Sequence, residues 1–202
     1  MRRLILSFLW ALARTLFALR YKVVAIGKAN VPAKGPVLLL GNHVSWIDWL
    51  LVQFPLRRRL RFMMEKRIYE WRSLHWLFKL GEAIPVSQRA VKGALAEAQR
   101  SLKAGGAVVI FPEGGITYRC RIEKFYRGFE IIASETDTGV IVPFFIDGMC
   151  GSRWSRTVRK YTPERAGWRR VVTVVYGAPM PMDSSAEAVR DAVMKLKEYR
   201  AQ

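Results

Sequence analysis

Three runs of consecutive apolar residues constrain this chain more than any other feature: Val37-Leu38-Leu39-Leu40, Ala107–Phe111 and Val140–Ile146. A strand with one wet face alternates apolar and polar side chains. A run without alternation, too short for a helix, suits a strand covered on both faces. A fourth strand is predicted at Arg169–Tyr176, with shorter ones at Tyr21–Gly27, Leu60–Met64 and Glu82–Val86. Helical patterns are predicted at Trp46–Phe54, Lys66–Leu80, Arg89–Lys103, Tyr126–Ser134 and Glu187–Arg200. The alternation predicts an α/β fold whose central sheet is mixed, mostly parallel and flanked by helices. A chain of 202 residues suffices for one such domain with a sizeable core, and no repeat or linker divides it. The expected boundaries are an N-terminal helix over residues 1–20 and a single domain over 21–202.

From Leu4 to Leu19 the chain is apolar except for Ser7, Arg14 and Thr15. A helix of this length reaches roughly 24 Å, short of the roughly 30 Å hydrocarbon core of a bilayer. At 3.6 residues per turn, Arg3, Ser7, Ala11, Arg14 and Ala18 share one stripe, and Ile5, Phe8, Leu9, Leu12, Leu16 and Leu19 lie opposite. This pattern predicts an amphipathic helix lying in a membrane surface, its arginines turned to the phosphates. A core-packed helix and a signal or spanning segment are the other readings of the same residues.

The formal net charge is +18, which points to a polyanionic partner. Seven Trp beside so many cations favour an anionic membrane surface, because Trp and Arg both settle at headgroup level. No nucleic-acid partner is expected, since zinc-finger, aromatic RNA-binding and Gly-rich clamp motifs are all missing. The segment Met149–Trp168, with Arg153, Arg156, Arg159, Lys160 and Arg165, reads as a basic loop, either solvated or set against anionic lipid. Cys120 and Cys150 stand in no metal-type spacing, so no metal site is expected and both read as reduced thiols of a cytosolic protein. His75 has no acidic residue at a useful offset and reads as structural.

The candidate chemistry lies in Asn42-His43-Val44-Ser45-Trp46-Ile47-Asp48, at the exit of the first apolar strand. Imidazole exchanges protons near neutral pH, and a carboxylate on its second nitrogen fixes the tautomer and stabilises the imidazolium. His43 and Asp48 are placed to be such a pair. The same residues also suit a helix start, with Ser45 as N-cap and Asp48 three residues on. Ser45 as a nucleophile lacks the strand-to-helix elbow that would expose it.

A second constellation, Phe111-Pro112-Glu113-Gly114-Gly115, follows another apolar strand. Pro112 ends the strand, and the turn sets a carboxylate and free backbone amides at the carboxyl end of the sheet, where α/β sites form. Such amides suit a phosphate or an oxyanion, and the tetrad is equally acceptable as a plain turn.

In this order, with Phe125-Tyr126-Arg127-Gly128 and Val142-Pro143 following, these blocks resemble the glycerophospholipid acyltransferases, including the lysophosphatidic acid acyltransferases. The Asn-His-Val-Ser-x-Ile-Asp wording and Ile116-Thr117 are similar to the acyltransferase segment of bacterial 2-acylglycerophosphoethanolamine acyltransferases.

The resemblance implies an enzyme that needs no cofactor. It would move an acyl group from acyl-CoA or acyl carrier protein to the free hydroxyl of a lysophospholipid such as 1-acylglycerol-3-phosphate. His43 would deprotonate that hydroxyl and Asp48 would orient His43. Glu113, Gly114 and Gly115 would bind the acceptor's glycerol and phosphate, with Arg119, Arg121, Lys124 and Arg127 as the nearby cations. The aromatic segment Lys66–Leu80 is a candidate wall for an acyl chain. The implied location is peripheral or monotopic, on the cytoplasmic face of the inner membrane.

The chain departs from the family pattern at Gly115 and Ile116, where members usually carry a phosphate-binding arginine, and at Tyr126, where many carry lysine. Either Arg119 or Arg121 reaches back, or the headgroup is held differently. A different lyso-lipid acceptor, such as an aminolipid, is therefore the second reading, and a non-enzymatic basic binding protein the third.

Overall fold

Both faces of strand β2 (Val37–Gly41) are covered, which accounts for a strand with no polar residue. Val37 and Leu39 pack into one apolar cluster with Leu51 and Val52. Leu38 and Leu40 pack into a second with Ala98, Leu102, Ile132 and Val189. The computed structural model describes residues 14–136, 138–157 and 169–199. Within them β2 sits at the centre of a sheet with β1 (Tyr21–Ile26), β3 (Arg61–Glu65), β4 (Ile84–Val86), β5 (Ala107–Ile110), β6 (Val140–Asp147) and β7 (Arg170–Tyr176). The order is β1-β7-β6-β2-β5-β3-β4, and only the β6–β7 pair is antiparallel. Parallel pairing puts the exits of β2, β5 and β6 at one edge, with Leu40 opposite both Ile110 and Pro143.

Helix α1 is described over residues 14–20; the rest of the expected N-terminal helix lies outside the described residues. Phe17 turns inward against Tyr21 and Phe54, while Leu16 and Leu19 are exposed. No helix among the described residues is long and apolar enough to cross a membrane. Helices α2 (Asp48–Gln53), α5 (Val91–Lys103), α6 (Gly128–Ala133) and α7 (Ala186–Leu196) cover the sheet. The Tyr176 hydroxyl donates to Val52 O (2.8 Å) and fastens α2 to β7. On α5 the apolar stripe read from the sequence is Val91, Leu95, Ala98 and Leu102; the buried face is Ala94, Ala98, Ser101 and Leu102, a rotation that leaves Val91 exposed.

Three local expectations differ from the structure. The helical run Lys66–Leu80 is two short helices, α3 (Lys66–Tyr69) and α4 (His75–Leu80). Side chains close the break: His75 Nδ1 donates to Tyr69 O (2.9 Å) and Trp76 Nε1 to Ser73 O (3.0 Å). Helix α2 starts at Asp48, not Trp46, because Asp48 turns its carboxylate back onto the preceding turn, and Ser45 does not cap it.

The cysteines are bonded to each other, which overturns the reading as reduced thiols: the β5–α6 and β6–β7 loops meet with the Cα atoms of Cys120 and Cys150 5.7 Å apart. A bridge across 30 residues of sequence removes loop entropy from the unfolded chain. Replacing both cysteines by serine is expected to cost roughly 2–4 kcal/mol, read as a lower denaturation midpoint. An unchanged midpoint would mean the bridge does not stabilise the fold.

The basic run after α2 is largely structural. Arg58 donates to Pro32 O (2.7 Å), Gly105 O (2.8 Å) and Gly35 O, and burial pulls its pKa down. Arg61 pairs with Glu97 at 2.7 Å, which holds that carboxyl below its usual range.

Candidate active site

The turn after β2 is built around one carboxylate. Asp48 is fully buried and accepts from Val44 N (2.7 Å), Ser45 N (2.9 Å), the Ser45 hydroxyl and His43 Nδ1 (2.8 Å). With Nδ1 so engaged, Nε2 is the ring nitrogen left for a substrate. The turn is anchored to β6 by the buried Asn42 side chain, which donates to Ile146 O (2.9 Å) and accepts from Ile146 N (2.7 Å). Asn42 thus continues the sheet ladder through its amide.

The ring of His43 is stacked on Phe111, with centroids 4.1 Å apart and planes 14° from parallel. Phe111 meets Phe144 edge-on. Phe144 in turn lies across Gly41, where any Cβ would collide with its ring. Glycine at the end of β2 therefore lets an aromatic stack fix the imidazole plane.

Glu113 lies behind this turn rather than facing the cleft. Its Oε1 accepts the His43 amide (3.1 Å), and the Thr117 amide donates to His43 O (2.9 Å), so His43 is held at both backbone groups. The other oxygen, Oε2, is buried without a partner. Burial pushes the Glu113 carboxyl up to about 7; the His43 and Glu123 amides pull it down, and the Glu123 and Asp48 carboxylates push it further up. An acid whose pKa is higher folded than unfolded stabilises the fold below its unfolded value and loses that stability as pH rises through about 7. Glu113→Gln keeps an acceptor for the His43 amide and removes the ionisation. Its thermal stability should match wild type at pH 5 and exceed it at pH 8 by up to roughly 3 kcal/mol. A difference that does not change with pH would show that Glu113 does not titrate in this range.

A cleft of about 2430 Å³ opens beside His43. That exceeds the roughly 300–1,000 Å³ of an ordinary small-molecule site, so there is room for two substrates. One wall is apolar, formed by Trp49, Phe62, Leu74, Trp76, Leu77 and Phe78. Arg57, Lys66, Arg67, Arg89 and Arg156 give the lining a basic character. Gly114, with φ of 73°, and Gly115 line the cleft beside Ile116 and Tyr126. The Tyr126 ring packs against Gly114 at a distance that leaves little room for a side chain.

The other expected cations are elsewhere. Arg121, Lys124 and Arg127 line a separate, smaller depression beside α7, with Arg127 paired to Glu130 at 2.8 Å. Arg119 is exposed and does not line the cleft. The cause is the burial of Ile122 and Phe125, which sink into the helix-covered face and turn their neighbours outward.

Arg156, from the flagged basic loop, does line the cleft, with Trp46 and Trp154. Nothing in the spacing of that loop distinguished Arg156 from its neighbouring cations. Residues 158–168 of the loop lie outside the described residues.

The Acyltransferase family model matches residues 22–147, more than half of the chain. A 1-acyl-sn-glycerol-3-phosphate acyltransferase of Chlamydomonas reinhardtii is 29% identical over 91% of this chain and 54% of its own length. A lyso-ornithine lipid O-acyltransferase of Pseudomonas aeruginosa is 30% identical over 66% of this chain and 50% of its own length. The chain spans about half the length of these relatives. The crystal structure of the 1-acyl-sn-glycerophosphate acyltransferase of Thermotoga maritima superposes with a TM-score of 0.66 at 22% identity, covering 90% of this chain and 74% of that one. That likeness supports the mixed, mostly parallel fold.

Proposed function

The chain belongs to the Acyltransferase family, and on that premise we propose that it moves a fatty acyl group from a thioester donor to the free hydroxyl of a lysophospholipid. The observation that carries this reading is the 2.8 Å contact between His43 Nδ1 and the buried Asp48, at the edge of a cleft with an apolar wall. Nε2 takes the proton of the acceptor hydroxyl as its oxygen attacks the thioester carbonyl. The carbon–oxygen bond forms, the carbon–sulfur bond breaks, and the imidazolium returns the proton to the departing thiolate. Asp48 orients the ring and stabilises its charged form. Acyl-CoA or acyl carrier protein supplies the thioester; no cofactor takes part.

A phosphate-bearing acceptor such as 1-acylglycerol-3-phosphate fits the basic lining. An aminolipid acceptor is the second reading, favoured by Gly115 and Ile116 in place of an arginine and by the name of the Pseudomonas relative. Exposed Leu16, Leu19, Trp71 and Trp76 and the net charge of +18 support a peripheral or monotopic place on an anionic membrane. The cytoplasmic face is the proposed side. The Cys120–Cys150 bond is the observation that speaks against that side, because such bonds persist in oxidising compartments, and thiol trapping in native membranes decides between the two faces.

The test is a matrix of acyl donors against lysolipid acceptors, run on protein reconstituted in anionic vesicles. Transfer to 1-acylglycerol-3-phosphate is expected to exceed transfer to a lyso-aminolipid. The reverse order would favour the second reading. No transfer from any donor, with the protein folded, would overturn both.

A further inference from the structure

We propose that Arg156 binds a phosphate group of a bound substrate at the mouth of the His43 cleft, in the role left open by Gly115 and Ile116. This rests on the acyltransferase reading for the identity of the substrate, but the anion site itself rests on geometry. The guanidinium lies 4.8 Å from the centroid of Trp46 and 5.5 Å from that of Tyr118. Contact with two aromatic faces holds its plane and leaves the N–H edges for an anion, the arrangement in which arginine grips phosphate with two parallel bonds. No carboxylate pairs with it among the described residues.

Its position is fixed relative to the candidate base from two directions. An antiparallel bridge joins Ser155 to Ser45, and Trp46 N donates to Trp154 O (3.0 Å), so the loop is stitched to the turn that carries His43. The Cys120–Cys150 bond ties the same loop to the segment bearing Tyr118. The buried Arg170 donates to Gly148 O (2.5 Å) and Cys150 O (3.0 Å) and secures its base. Arg156 is exposed, as Arg119 and Arg121 are, but of the three it is the one that lines the cleft, with two aromatic rings against it.

The phosphate has two possible sources, the acceptor headgroup or the phosphates of a CoA donor, and kinetics separate them. Arg156→Ala is expected to raise KM for the phosphate-bearing substrate roughly ten- to hundredfold, with kcat within about threefold, as for loss of a charge-assisted pair. A rise confined to the acceptor assigns the headgroup; a rise confined to acyl-CoA assigns the donor. Arg156→Lys, which keeps the charge and loses the fork, should fall between wild type and alanine. A fall in kcat with both KM values unchanged would overturn the proposal.

A second readout does not depend on turnover. Titration of sn-glycerol 3-phosphate followed by phosphorus NMR should show binding to the wild-type protein that is at least tenfold weaker in Arg156→Ala. Equal binding by the two proteins, with matching thermal midpoints, would overturn the site even if acyl transfer is established. A binding difference between the two proteins with no acyl transfer in wild type would overturn the functional reading alone: the anion site stands whenever the binding difference is seen.

Discussion

The His43→Ala protein is expected to lose roughly 10²- to 10⁴-fold in acyl-transfer rate, the usual contribution of a positioned general base, and to remain folded. The second half of that expectation follows from the hydrogen bonds of Asp48. Removing the imidazole takes one donor from the buried carboxylate, but the amides of Val44 and Ser45 and the Ser45 hydroxyl remain on it. The charge is not orphaned, so the stability cost should be about 1 kcal/mol, with a further contribution from the lost stack on Phe111. Rate measurements under saturating donor and acceptor, beside a thermal melt, give both quantities. Activity that survives the substitution would remove His43 from the mechanism. Ser45→Ala is the control for a covalent route. Its hydroxyl is occupied with Asp48, so the variant should stay within about tenfold of wild type if the acceptor hydroxyl attacks directly. Trapping an acyl group on Ser45 would overturn direct attack.

The sheet was legible because its central strands are apolar over their covered length: β2 has no polar residue and β6 has one only at its end, Asp147, and an apolar run is the direct consequence of burial on both faces. The His43–Asp48 contact was also legible, since it closes within one turn of chain and needs no knowledge of the rest of the fold. Contacts made across the sheet were not. Glu113 reaches the His43 amide over 70 residues, which requires the parallel register of β2 and β5. Its place behind the turn, rather than in the cleft, follows from that register. The disulfide has the same origin, two loops brought together by the order of the strands. The break at residues 70–74 depends on two side chains bonding to backbone carbonyls, a choice that helical periodicity does not encode. Arg156 was hidden among five cations in one loop, and only its contacts with Trp46 and Tyr118 distinguish it.

Asp48 separates the structural and chemical demands on the site. Asp48→Ala leaves the amides of Val44 and Ser45, the Ser45 hydroxyl and His43 Nδ1 without their acceptor, in a turn where Asp48 is fully buried. Buried donors without partners cost roughly 1–3 kcal/mol each before the turn relaxes. The expected loss of stability is therefore about 3–5 kcal/mol, a drop in thermal midpoint of roughly 10 °C or more for a domain of this size. Activity should disappear with it. Asp48→Asn makes a different demand. Its carbonyl oxygen can occupy the Oδ2 position and accept from both amides and from Nδ1, while its NH₂ group meets the Ser45 oxygen, which can accept. The turn survives, and stability should fall by no more than about 1–2 kcal/mol. What asparagine cannot supply is negative charge beside a ring that becomes an imidazolium as the hydroxyl is deprotonated. Its rate should consequently fall roughly 10²- to 10⁴-fold, with KM for both substrates little changed. An Asp48→Asn protein as active as wild type would reduce Asp48 to a structural anchor for the turn, and His43 would then have to act without electrostatic support.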